Sequence, residues 1–204
     1  MDTKTLFLVN RRMIVFTAAG AVLFTLFSYF VVLPTPIPQV YFFPSYALLG
    51  FFAALFGPIS GAVISLTGML FVGLWRAGFN PGLWISEYFF LSYTIASVVC
   101  GFVYGFSKKY VHADCGNFGY DGIIAYNVIQ IAGNFAAWGL VAPVLELLLS
   151  PGRPAGEVFL QGLTAAFVDI LSAEFIGTPL LLVHAHIRKR QLVQREAPDN
   201  AGTA

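Results

Sequence analysis

MIVFTAAGAVLFTLFSYFVVL, residues 13–33, contains no charged side chain. As an α-helix it extends about 31 Å at ~1.5 Å per residue, enough to cross the hydrocarbon core of a bilayer. It is too long for the apolar core of a signal peptide, and no small-residue cleavage site follows it. The rest of the chain has the same character. Only 10% of its 204 residues are charged and 58% are hydrophobic. A soluble domain carries about a quarter charged residues, so these charges are too few to cover a water-facing surface. The chain reads as one integral membrane domain.

Working outward from that run, the proline-rich turn LPTPIP (33–38) leads to a second span at about 40–56, with Pro44 near its start. FGPISG (56–61) breaks the apolar stretch, and a third span follows at about 59–75. After the loop RAGFNPG come a fourth span at about 84–106 and the polar loop SKKYVHADCGNFG. A fifth span covers 120–149, SPGRPAGE follows, and a sixth covers 158–183. The expectation is an all-α, six-transmembrane-helix bundle over residues 13–187. Residues 1–12 form a cytoplasmic lead-in, and 188–204 form a charged, disordered tail. With the N-terminus inside, Lys4, Arg11, Arg12, Lys108, Lys109, Arg188, Lys189, Arg190 and Arg195 fall on the cytoplasmic side, leaving Arg76 and Arg153 outside. That asymmetry, with an even number of spans, predicts N-in, C-in in the plasma membrane of a prokaryote.

The polar residues inside these spans are the candidates for function. In YNVIQIAGNFAAW (126–138), Asn127, Gln130, Asn134 and Trp138 share an arc of about 80° on one helix face. Trp84, Glu87 and Tyr88 lie within about 100° of one another at the outer start of the fourth helix. Gln161 lies near the outer surface of the sixth helix, and Asp169 about two-fifths of the way through it. A carboxylate at membrane depth costs several kcal/mol unless it faces a cavity or a partner, so Glu87 and Asp169 are functional candidates. An aromatic wall beside amides suits a flat, heteroatom-rich ligand. The structural alternative stands beside it. Asn and Gln commonly bridge membrane helices, and Trp84 fits an interfacial aromatic belt. Asn127 reads as such a bridge, with Gln130 as a further internal contact. Thr17, Ala21, Thr25 and Ser28 form a small-residue stripe on the first helix, which admits close approach by a helix of this chain or of another subunit.

Several chemistries find no support. A net charge of +1 argues against a nucleic-acid partner. Cys100 and Cys115 lack metal-type spacing, and His184 and His186 beside Arg188 and Lys189 read as interfacial, so no metal or cofactor is expected. There is no G-x-x-x-x-G-K-[ST] loop, H-E-x-x-H or G-x-S-x-G, so neither ATP hydrolysis by that route nor an enzyme is predicted.

LPTPIP, YALLGFFAALFGPISG, YNVIQIAGNFAAWGLVAPVLE, FLQGLTAAF and IGTPLLL, in this order over about residues 13–187, resemble the riboflavin-type S components of energy-coupling-factor (ECF) transporters. The resemblance implies a membrane subunit that captures a vitamin or related micronutrient from outside, riboflavin-like or another ring-bearing compound such as cobalamin. It implies release inside by a transmembrane coupling subunit and two cytoplasmic ATPases, with Thr17, Ala21 and Thr25 at the coupling-subunit contact. Trp84, Glu87, Tyr88, Asn134, Trp138, Gln161 and Asp169 are the expected ligand contacts. The chain departs from the family pattern at Gln39, at Gly68-Met69 with Gly73, and at Asp169, positions that bear on ligand choice. A secondary carrier or channel working without ATPases is the alternative.

Overall fold

The computed structural model describes residues 6–7, 9–35, 41–78, 88–112, 116–150 and 152–196, with the side chains of residues 88, 89 and 196 outside that description. Helix α1 is Arg11–Phe30, α2 Ser45–Phe56 and α3 Pro58–Arg76. Helix α4 is Tyr88–Tyr104, continued by a 3-10 turn at Gly105–Lys109. Helix α5 is α-helical over Tyr120–Asn134, π-helical over Phe135–Val141 and α-helical again over Ala142–Leu149. Helix α6 repeats that plan, with Ala155–Ser172, a π segment at Ala173–Gly177, and Thr178–Glu196. Two short antiparallel strands, β1 (Leu33–Pro34) and β2 (Tyr41–Phe42), join α1 to α2.

Among the described residues, five helices are long and apolar enough to cross a membrane: α1, α3, α4 with its 3-10 turn, α5 and α6. The second expected span is shorter than its sequence run. Residues 41–42 are strand, and the helix starts only at Ser45, because Phe43 precedes Pro44 and a residue before proline is pushed away from helical backbone. The 12 residues of α2 extend about 18 Å, well short of a hydrocarbon core. Helix α2 is instead the centre of the bundle. Ala47, Leu49, Ala53 and Ala54 are fully buried, and α2 packs against α1, α3, α4 and the π segment of α6. Around it the outer faces are greasy: Ile14, Val15, Val22, Val128, Leu140, Leu160 and Phe167 are all more than half exposed. So much exposed apolar surface would drive association in water and is satisfied in lipid.

Local chemistry explains the helix ends. Asn10 Oδ1 caps α1 by accepting from Met13 N–H at 2.7 Å, as a helix N-terminus requires. Gly57 alone connects α2 to α3 with φ +98°, and Pro58 opens α3 where its missing N–H costs nothing. The α1 stripe packs partly inside the chain. Thr17 and Ser60 hydroxyls lie 2.7 Å apart, and Ser28 donates to Ser45 at 2.8 Å. Asn127 is an interhelical bridge, accepting from Thr178 at 2.8 Å.

One expectation changes at the C-terminal end. Residues 188–196 continue α6 as helix instead of beginning a disordered tail. They are rich in Arg, Lys, Gln and Glu, which are good helix formers, and Arg188 bonds Gln191 one turn on at 3.2 Å. Residues 1–5 and 197–204 lie outside the described residues.

Candidate functional site

At the end of the bundle where α5 turns into α6, a charged rim ties three helices together. Glu146 of α5 is 3% exposed and forms an ion pair with Arg153. A second guanidinium nitrogen of Arg153 donates to Gln161 of α6 at 3.1 Å. The Tyr93 hydroxyl of α4 bonds Glu146 as well. Arg153 is partly exposed, so the cost of breaking the pair falls on Glu146, whose buried carboxylate would be left uncompensated.

Beside the rim the packing is aromatic. Trp138 sits in the π segment of α5 and is 5% exposed. The Tyr93 ring lies 5.6 Å from it, tilted by 41°, and the Tyr46 ring of α2 meets it edge-on at 5.6 Å. The Tyr46 hydroxyl donates to Ser97 at 3.1 Å. Among the described residues, the indole N–H of Trp138 has no partner. Asp169, on the turn of α6 before its own π segment, is equally buried. The backbone N–H of Phe43 serves its carboxylate, yet Oδ1 has no partner among the described residues. Ser172 donates to the Phe43 carbonyl at 3.3 Å, so the residue after β2 is held to α6 from both of its backbone groups. Tyr46 is within electrostatic range of Asp169 and therefore joins the two unpartnered groups. Both π segments adjoin these groups, and π turns inside α-helices are frequent at functional sites.

Further along α5 the polar stripe divides by role. The Asn134 amide donates to the Tyr104 hydroxyl at 2.5 Å and to the Gln130 carbonyl at 3.0 Å, while its oxygen faces the Cys100 thiol at 3.8 Å. Its polar atoms are engaged by the protein. Gln130 is fully buried, and among the described residues neither its amide atoms nor the Tyr126 hydroxyl has a partner. Gly50 of α2 makes room for them, since a Cβ there would lie 2.6 Å from the Tyr126 oxygen and 2.8 Å from Gln130 Oε1.

The structure thus gathers Trp138 and Asp169 around Tyr46, and places Gln161 at the rim through Arg153. Asn134 stands one turn below, bonded inside the bundle. Trp84 and Glu87 lie outside the described residues; Tyr88 begins α4, with its side chain outside the description. Tyr46, Tyr93 and the Glu146–Arg153 pair escape a sequence reading, because no periodicity links residues on α2, α4 and the α5–α6 turn. Gln130, expected as an internal helix contact, is buried against Gly50 of α2. Among the described residues, no three His, Cys, Asp or Glu side chains gather as a metal site would need.

On the opposite flank, Thr17, Ala21 and Thr25 line an open groove of about 580 Å³ between α1 and α3, together with Ala18, Val63 and Phe71. The threonine hydroxyls are satisfied within the chain, Thr17 with Ser60 and Thr25 with the Ala21 carbonyl at 2.7 Å. The surface left to face outward is then almost wholly apolar.

The family described as "ECF-type riboflavin transporter, S component" matches residues 9–186. A UPF0397 protein of Lactococcus lactis subsp. cremoris is 33% identical over 179 residues, covering 88% of this chain and 93% of the relative. UPF0397 proteins of Enterococcus faecalis and Staphylococcus aureus (strain Newman) are each 31% identical, covering 88% and 87% of this chain and 93% and 91% of the relatives. No solved structure matches the chain. With nearly its whole length matched, its apolar helices and its buried polar cluster, the chain belongs to the ECF-type S-component family, the membrane substrate-binding subunits of ECF transporters.

Proposed function

We propose that this chain captures a ring-bearing micronutrient, a vitamin or a close relative, at the cluster beneath the Glu146–Arg153 rim. The observation that carries the reading is the pair of buried polar atoms without a partner among the described residues, Trp138 Nε1, whose ring packs on Tyr46 and Tyr93, and Asp169 Oδ1. Unsatisfied polar atoms at such depth are costly, and a ligand that bonds them recovers that cost. The proposed topology is six passes with both termini inside, the second made by β2 and the short α2 sheltered within the surrounding helices, which turns the rim outward. The groove between α1 and α3 then meets a transmembrane coupling subunit, and two cytoplasmic ATPases drive release of the ligand inward. Binding needs no covalent chemistry.

The deciding measurement is mass spectrometry of small molecules released from the detergent-purified protein after growth in rich medium. A stoichiometric ring compound is expected. A protein that is empty and shows no melting response to a vitamin panel would sink the capture reading. One observation favours a second reading: the half-partnered Asp169 carboxylate is also what an ion-coupled carrier would use. Uptake that persists without the ATPases and collapses with the ion gradient would select it.

A further inference from the structure

Far from the rim, two lipid-facing stripes end in cations at the opposite end of the bundle. On α6, Val183, Ile187 and Arg190 recur at i, i+4 and i+7, which sets them on one helix face, and all three are exposed. On α4, the exposed rings of Phe102 and Phe106 are followed by exposed Lys109 and Tyr110, with Lys109 Nζ over the Tyr110 ring at 5.5 Å. The connection from α4 to α5 joins the two helix ends. It doubles back, the Asn117 N–H donating to the His112 carbonyl at 3.2 Å, and Gly116 then rests on α6. A Cβ on Gly116 would lie 2.8 Å from the Lys189 Cα. The cations gathered here are not neutralised by the protein. Among the described residues Lys109, Lys189 and Arg190 form no ion pair, and Asp121 in the first turn of α5 pairs with none of them. Arg188 donates to Gln191, and its buried Nε has no partner among the described residues.

We propose that this corner, where the α4–α5 connection meets α6, is a docking surface for the headgroups of anionic phospholipids. Depth decides for lipid over a protein partner. Apolar side chains face outward up to the turn before the cations, so Lys109, Lys189 and Arg190 stand in the headgroup layer, their stems along the acyl boundary and their charges among the phosphates. Charge decides for an anionic lipid over a zwitterionic one. Four basic residues close beside the ends of membrane helices, left without acidic partners by the protein, match a net negative headgroup and not one that carries its own cation. The surface is separate from the capture cluster, and an empty capture site would leave it standing.

The test uses the full chain in detergent as wild type, as the triple variant Lys109→Gln, Lys189→Gln, Arg190→Gln, and as Lys109→Arg, Lys189→Arg, Arg190→Lys, which keeps every charge. Native mass spectrometry counts the lipid retained after addition of phosphatidylglycerol or of phosphatidylcholine with the same acyl chains. The wild type and the charge-keeping variant should hold phosphatidylglycerol in preference. The glutamine variant should lose that preference, its affinity for phosphatidylglycerol falling about fivefold for each charge removed. Added salt should weaken phosphatidylglycerol binding to the wild type. The three side chains are exposed, so melting temperatures without added lipid should agree. Lys109→Gln alone, at the end of the 3-10 turn, should show a fivefold loss even where the triple variant folds poorly. Equal retention of the two lipids by the wild type overturns the inference, as does a folded glutamine variant that keeps the preference. Inorganic phosphate that displaces phosphatidylglycerol at matched concentration overturns it too, assigning the cations to a free anion. A glutamine variant that retains phosphatidylglycerol but no longer co-purifies with a coupling subunit overturns it in favour of a protein partner.

Discussion

Trp138 and Asn134 stand one turn apart on the same face of α5, yet their surroundings give them different tasks. The Asn134 amide is held by Tyr104 and by the Gln130 carbonyl, whereas the buried Trp138 N–H has no partner among the described residues. Replacing Asn134 by Leu should lower stability by about 1–3 kcal/mol, since the Tyr104 hydroxyl and the Gln130 carbonyl lose their donor in an apolar interior. Thermal unfolding in detergent reads that loss, and an unchanged melting temperature would mean the two bonds are dispensable. For Trp138 the expected loss is in binding. Trp138→Phe keeps most of the packing and removes the N–H, so affinity should fall by roughly tenfold, with Trp138→Ala weaker still. Calorimetric titration decides it, and unchanged affinity in both variants would remove Trp138 from the site. The stripe itself is legible in sequence as spacing. Which of its members is already bonded is not, because Tyr104 lies 30 residues from Asn134 and reaches it only across a helix interface.

At the scale of elements, α3 and α4 meet at two glycines, Gly61 and Gly101, each lying against the other's backbone. A Cβ on Gly61 would collide with the Gly101 carbonyl, which cannot rotate away as a side-chain tip can. Gly61→Ala should therefore part the helices and cost about 1–3 kcal/mol, even though alanine is the better helix former. A melting temperature equal to wild type would show that α3 can shift at no cost. The groove beside α1 offers a test of the coupling proposal. Ala21→Leu fills it, so uptake by cells should fall while ligand binding to the purified subunit stays intact. Ala18→Leu, on the exposed wall of the same groove, disturbs the bundle interior less and should act in the same direction. Normal uptake by both variants defeats the assignment. Helix existence was legible from uninterrupted apolar length. The shortness of α2 was hidden because apolar composition alone does not distinguish a buried central helix from a lipid-crossing one.

For the molecule as a whole, the distribution of Lys and Arg predicts which side each end faces. In a Cys115→Ser background, a cysteine introduced at Gly156 should react with an impermeant maleimide in intact cells. One introduced at Gln194 should react only after permeabilisation, while Cys100, fully buried, stays silent. The reverse pattern would invert the topology and turn the capture site toward the cytoplasm. What the sequence by itself determined is the solvent: too few charges for water, apolar runs as long as a bilayer is thick, and helices as the secondary structure that satisfies its own backbone there. Family membership was legible too, because it rests on linear order. Trp138 and Asp169 were legible as candidates, but which of their atoms are already bonded was decided by the tertiary structure. An unpartnered atom such as Asp169 Oδ1 or Trp138 Nε1 is defined by what fails to reach it from α2, α4 and α6, and contacts between helices far apart in the chain leave no periodic trace along it.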